Sequence, residues 1–118
     1  MTVHWQKSPN NTWYKLSSDL LNNRYFDKLQ GIYIIWYWED LSRPKVIQVG
    51  QGIIRNRVQD YLKGFNIEVT NHPTLYITWT VVEDAPKRDA MVTFLGRRLR
   101  PGGRFPHGNP IRVNLPEW

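Results

Sequence analysis

The sequence predicts an α+β domain, a small three-stranded and mainly antiparallel sheet flanked by helices. An apolar, β-branched and aromatic run without a break, Ile32 to Trp38, lies between Gly31 and the polar pair Glu39 and Asp40. A second short apolar run, Val46 to Val49, follows a turn-like Leu41-Ser42-Arg43-Pro44 connection. Beyond Gly52 and again beyond Glu83, the apolar spacing changes from the period of a strand to that of a helix.

Residues 1–30 are polar and mixed, and read as an N-terminal extension packing on a domain of residues 31–118. Trp5, Trp13, Tyr14 and Leu16 are scattered anchors, and the pattern Leu20, Leu21, Tyr25, Phe26, Leu29 suggests a short helix. Ile32 to Trp38 is a strand apolar on both faces, with Tyr33, Ile35 and Tyr37 on one of them. The second strand is expected to end at Gly50 and Gly52, to pair antiparallel with the first, and to carry Val46, Gln48 and Gly50 on one face.

Ile54, Val58, Tyr61 and Leu62 then mark the buried stripe of an amphipathic helix ending near Gly64. Leu75 to Val82 is a third strand. A second helix starts near Pro86, buries Met91, Phe94, Leu95 and Leu99, and stops before Pro101. The Pro- and Gly-containing tail is irregular, with a short edge strand expected at Ile111 to Val113.

Length, charge and composition narrow the function classes. A chain of 118 residues holds one ordinary core. It has no cysteine, which excludes disulfides, thiolate metal sites and cysteine nucleophiles. No stretch approaches the roughly 18 consecutive apolar residues of a membrane span, and Met1 to Asn11 lacks the pattern of an export signal, so a soluble, cytoplasmic protein with no membrane partner is expected. The Asn10-Asn11-Thr12 sequon carries no weight without a secretory context.

The net charge of +6 is concentrated late in the chain: Lys87, Arg88, Arg97, Arg98, Arg100, Arg104 and Arg112 stand against Asp89 alone. Such a cluster is either a phosphate-backbone footprint or a solvated face that maintains solubility. Periodicity leaves Arg55 and Arg57 equivalent, since both flank the stripe of the first long helix.

Gly31-Ile32-Tyr33, then Gln48-Val49-Gly50, then Arg57 in a helix, and a late Asn114 in Val113-Asn114-Leu115 together resemble the GIY-YIG nuclease domain from Gly31 to Pro116. The resemblance implies catalytic roles for four residues. Tyr33 would position or deprotonate the attacking water, Arg57 would stabilise charge on the phosphate, Gln48 stands in the second motif, and Asn114 would organise the site. It implies DNA or RNA as partner, with Arg55, Lys63, Arg97, Arg98, Arg100 and Arg104 as nucleic-acid-binding residues, and a separate protein for targeting. In an active member the cofactor is Mg2+ or Mn2+.

Two positions depart from that pattern. Gln48 replaces a tyrosine and cannot become a phenolate. Val92, nine residues before Pro101, stands where the family has its metal-binding glutamate, and an isopropyl group holds no cation. Metal assistance supplies several kcal/mol, and each ~1.4 kcal/mol is tenfold in rate, so cleavage is expected to be impaired or absent.

Asp89, about 60° round the helix from Val92, is a weak substitute ligand; Glu83 and His107 are others. Asp89 also suits the simpler role of complementing the helix N-terminus. The alternatives are an active metal-dependent endonuclease with a relocated carboxylate, and a protein-interaction domain presenting Trp5, Trp13, Trp36, Trp38 and Trp118.

Overall fold

The computed structural model describes residues 1–63, 74–101 and 108–118. Elements follow in the order β1 (Tyr14–Lys15), α1 (Ser18–Leu21), a 3-10 turn (Arg24–Phe26), β2 (Gln30–Trp38), β3 (Pro44–Ile53), α2 (Ile54–Lys63), β4 (Tyr76–Val81) and α3 (Ala85–Leu99). The α+β class stands, but the sheet has four strands, in the order β1-β4-β2-β3, and every pairing is antiparallel. The additional strand is β1, two residues long and paired with Ile77 and Tyr76. Residues 1–30 therefore supply part of the sheet as well as packing on it.

β2 is apolar throughout because it is central and covered on both sides. Ile32, Ile34 and Trp36 face a cluster containing Met91, Val92 and Leu95 of α3, together with Trp5, Val82 and Val113. Tyr33 and Ile35 face the other cluster, with Ile54 and Val58 of α2, Leu21 and Phe26 of the N-terminal region, and Ile77 and Trp79 of β4. Burying an Ile or Leu side chain in this way stabilises the fold by roughly 1.5–3 kcal/mol. Gly31 is required at the start of β2, since a Cβ there would strike the Thr80 carbonyl of β4.

The β2–β3 register departs from simple alternation. Ile35 pairs with Gln48 but Trp36 pairs with Val46, so Ile47 is the extra residue of a bulge. Val46 consequently packs with the α3 cluster, and the expectation that it shares a face with Gln48 and Gly50 is corrected. β3, expected to end at Gly50 and Gly52, runs through both glycines to Ile53.

Local chemistry fixes the helix boundaries. Ser17 caps α1 by accepting from Leu20 N at 3.1 Å, and Asn23 caps the 3-10 turn by accepting from Tyr25 N at 2.9 Å. The expected helix over Leu20–Leu29 is thus two short pieces. Asp84 caps α3, Pro86 lies in its first turn, and Arg100 closes it in the left-handed region at φ 50°. Ile111 to Val113 form no strand; Ile111 N donates instead to Ala90 O of α3 at 3.1 Å.

Five indoles gather on the α3 side. Trp5 and Trp36 belong to that cluster, and Trp13, Trp38 and Trp118 pack against it. Trp36 is fully buried and donates Nε1–H to Thr78 Oγ1 at 3.0 Å. Its ring stacks on Tyr76 at 4.8 Å and meets Trp13, Trp38 and Trp118 edge-on. Trp5 and Trp36 are buried, whereas Trp13, Trp38 and Trp118 are half-buried. No helix among the described residues is long and apolar enough to cross a membrane.

Candidate functional site

The site grows from the middle of β2. Tyr33 lies directly opposite Gly50 of β3 on one side and Trp79 of β4 on the other. Cross-strand partners share a face, so its side chain rises on the α2 side of the sheet. The ring and hydroxyl lie over Gly50, in space that any Cβ at that position would invade. Tyr33 is 2% exposed, and its hydroxyl is hydrogen-bonded to the Gln48 side chain.

Two residues further along β3, Gly52 takes φ +123°, and the Arg57 stem lies against it, with Cγ 3.3 Å from where a Cβ would stand. α2 begins as β3 ends, so the strand's direction delivers Arg57 from the first turn of the helix to the same face. Arg57 is exposed, and among the described residues it forms no ion pair.

The electrostatics tie these groups together. Burial raises the Tyr33 phenol above its ordinary value. The Arg57 cation and the Gln48 hydrogen bond work in the opposite direction, while Tyr61 and Asp60 add to the rise. Burial also raises the Tyr61 phenol. A neutral phenol beside an arginine fork offers hydrogen-bond donors and positive charge to an anionic oxygen. It is not a base at neutral pH.

Three expected site residues, Tyr33, Gln48 and Arg57, are therefore brought together. Asn114 is engaged elsewhere. Its Oδ1 accepts from Val3 N at 2.7 Å, its Nδ2 donates to Val3 O at 3.0 Å, and its carbonyl accepts from Trp5 Nε1 at 2.8 Å. It clamps the N-terminal segment beside the α3 cluster.

Val92 is 4% exposed and packs in the α3 cluster, on the sheet face opposite Tyr33. Asp89 accepts from Gln51 Nε2 at 2.7 Å, and Glu83 contributes its backbone carbonyl to Arg88. Among the described residues no three His, Asp or Glu side chains group closely enough to hold a metal ion. Among the described residues, Asp60 is the acid whose charge acts on the Tyr33 phenol.

The expected nucleic-acid-binding residues divide. Arg55 is structural: it donates to Leu21 O at 2.6 Å and Asn23 O at 2.7 Å, and pairs with Asp27 at 2.7 Å, tying α2 to the N-terminal region. Lys63 is exposed, 3.8 Å from Asp60. Arg97 and Arg98 are exposed in the last turn of α3, and Arg100 follows them, so this cluster belongs to the helix on the other sheet face from Tyr33. Arg104 and His107 lie outside the described residues.

Sequence reasoning missed Arg88, which it counted among the surface cations. It is 7% exposed and donates to Gln51 Oε1, Gln30 Oε1, Val82 O and Glu83 O at 2.9–3.1 Å. Its spacing with Met91 and Leu95 on the buried stripe of α3 was the available signal. Spacing alone places Tyr61 in the buried stripe of α2; its position one turn after Arg57 is the corresponding clue. Set against family models, curated proteins and solved structures, the chain finds no match.

Proposed function

We propose that this chain is a GIY-YIG-like nucleic-acid-binding domain whose endonuclease activity is impaired or lost. The observation that carries the reading is a convergence: Tyr33 from β2 and Arg57 from α2 reach one sheet face, the phenol over Gly50 and the guanidinium stem over Gly52. A phosphate diester presents only acceptors there, and this pair presents donors and positive charge. The net charge of +6 supports the same partner, DNA or RNA. Loss of cleavage is read from the sequence position of Val92, where the family has its glutamate; its side chain packs on the sheet face opposite Tyr33, so position 92 supplies no lone pair to Mg2+ or Mn2+ beside the phenol. The reading includes a cytoplasmic location and a separate protein for targeting.

The second reading, an active metal-dependent endonuclease with a relocated carboxylate, is favoured by one observation, the action of Asp60 on Tyr33. Asp89 supports it less, because its carboxylate is held by Gln51.

The test is filter binding to duplex and single-stranded nucleic acid across a salt series, beside plasmid nicking with Mg2+ and Mn2+. The expected result is affinity falling steeply with salt and no metal-dependent nicking. Metal-dependent nicking abolished by Arg57→Ala would establish the enzyme instead. Salt-independent binding, or none, would remove both readings.

A further inference from the structure

We infer that the phosphate site at Arg57 is one end of a nucleic-acid track that runs along β3 to Lys45, so that the chain grips successive phosphates of one strand; this rests on the nucleic-acid reading above. The sheet register carries the inference. Arg57 lies against Gly52, whose cross-strand partner is Gly31, and Lys45 is the partner of Tyr37. Tyr37 follows Tyr33 and Ile35 at the spacing of alternate residues on β2, whereas Trp36 and Trp38 belong with the α3 cluster. Tyr37 and its partner Lys45 therefore rise on the α2 side of the sheet, the side of Tyr33 and Arg57.

The bulge at Ile47 is what aims the lysine. Strict alternation back from Gly50 and Gln48 would turn Lys45 to the α3 side and Val46 to the α2 side. The extra residue reverses both: Val46 packs with the α3 cluster, and Lys45 returns to the face of Gln48. The two cations thus stand at opposite ends of one strand face. Six residues of β2 separate Gly31 from Tyr37, a span of roughly 20 Å at ~3.4 Å per residue. One strand of a duplex carries a phosphate for about every 3.4 Å of axis, so the track matches about six phosphates. Between its ends the Tyr33 phenol and the half-buried Gln48 amide offer neutral donors to phosphate or sugar oxygens.

Charge complements a polyanion along this line. Arg57 and Lys45 are both exposed, and neither is in an ion pair among the described residues. Of the acids near its ends, Asp60 lies 3.8 Å from Lys63, and Asp40 is paired with Arg43 at 2.7 Å in the turn between β2 and β3. Glu39 is exposed in the same turn, past the last residue of β2. β3 is also an edge strand, where a lysine has the simpler role of discouraging a second chain from pairing with it. That role leaves nucleic-acid affinity untouched, which separates the two by experiment.

Filter binding with the full chain tests this on mixed-sequence duplex and single-stranded DNA and RNA across a salt series. Lys45→Ala is expected to weaken binding on the order of 3- to 10-fold at 0.1 M salt and to lower the salt slope by about 1. Lys45→Arg should retain both, and Lys45→Ala combined with Arg57→Ala should lower the slope by about 2. Lys15→Ala is the control: that lysine is exposed too, but it is paired with Tyr76 and lies on the α3 side, so the slope should not change. An unchanged slope for Lys45→Ala overturns the track, and phosphate recognition still stands if Arg57→Ala alone lowers it. An equal drop for Lys15→Ala overturns the track as well, because net charge alone is then being read. If the parent chain binds none of these ligands, the nucleic-acid reading itself fails and the track with it.

Discussion

The phenol of Tyr33 occupies the space that a side chain on Gly50 would need. The two residues are directly opposed across β2 and β3, so neither can move aside without disturbing the strand pair. Gly50→Ala is therefore expected to displace the phenol and to destabilise the fold by about 1–3 kcal/mol. Urea denaturation followed by circular dichroism measures the loss. Combining the change with Tyr33→Leu is expected to cost less than the two single losses added together, which isolates the contact as the cause.

Arg57→Ala removes an exposed guanidinium that lies along a glycine and forms no ion pair among the described residues. Stability should change by no more than about 0.5 kcal/mol. Nucleic-acid affinity should fall, and the slope of its logarithm against that of salt concentration should drop by about 1, as for one lost phosphate contact. An unchanged salt slope in filter binding would show that Arg57 touches no phosphate.

Alkaline pH provides a separate handle. Burial raises the Tyr33 phenol against the opposing pull of Arg57 and Gln48, and burial also raises Tyr61. A group whose value is raised by folding is held protonated more firmly in the folded chain than in the unfolded one. Its stabilising contribution is complete below the unfolded value of about 10 and is lost as pH climbs through the folded one. Urea midpoints are expected to fall above about pH 10, and Tyr33→Phe should fall less steeply there than the parent.

Arg88 is 7% exposed, and its acceptors among the described residues are all neutral. Arg88→Met leaves the Val82 and Glu83 carbonyls and the Gln51 and Gln30 amide oxygens without their donor. A loss on the order of 2–4 kcal/mol in urea denaturation is expected. Arg88→Lys keeps the charge but loses the planar fork, so its loss should be intermediate. Equal stability of all three chains would refute a structural role for the arginine.

Elements with a strong period were legible in the sequence. The unbroken run of β2 declared two buried faces, and the apolar stripes placed α2 and α3 to within a residue or so of their ends. β1 was not legible, because two residues have no period and the strand is held by backbone pairing to β4, continued by Leu16 N donating to Leu75 O. The bulge at Ile47 was also hidden, since alternation alone assigns Val46 to the wrong face. Gly50 and Gly52 read as breakers, yet both lie within a strand, where the missing side chains make room for Tyr33 and the stem of Arg57. Of the candidate site, Tyr33, Gln48 and Arg57 were legible as a group. Spacing could not separate Arg55 from Arg57, because what divides them is the position of Leu21, Asn23 and Asp27, distant in sequence from both.

The uneven division of tryptophans makes the sheet an optical partition. Five indoles sit on the α3 side and Trp79 alone on the other, so intrinsic emission is dominated by a layer remote from the tyrosine. A perturbation around Tyr33 registers chiefly through its immediate neighbour, Trp79. Subtracting the spectrum of a Trp79→Phe chain from that of the parent would leave a one-fluorophore record of that side of the molecule.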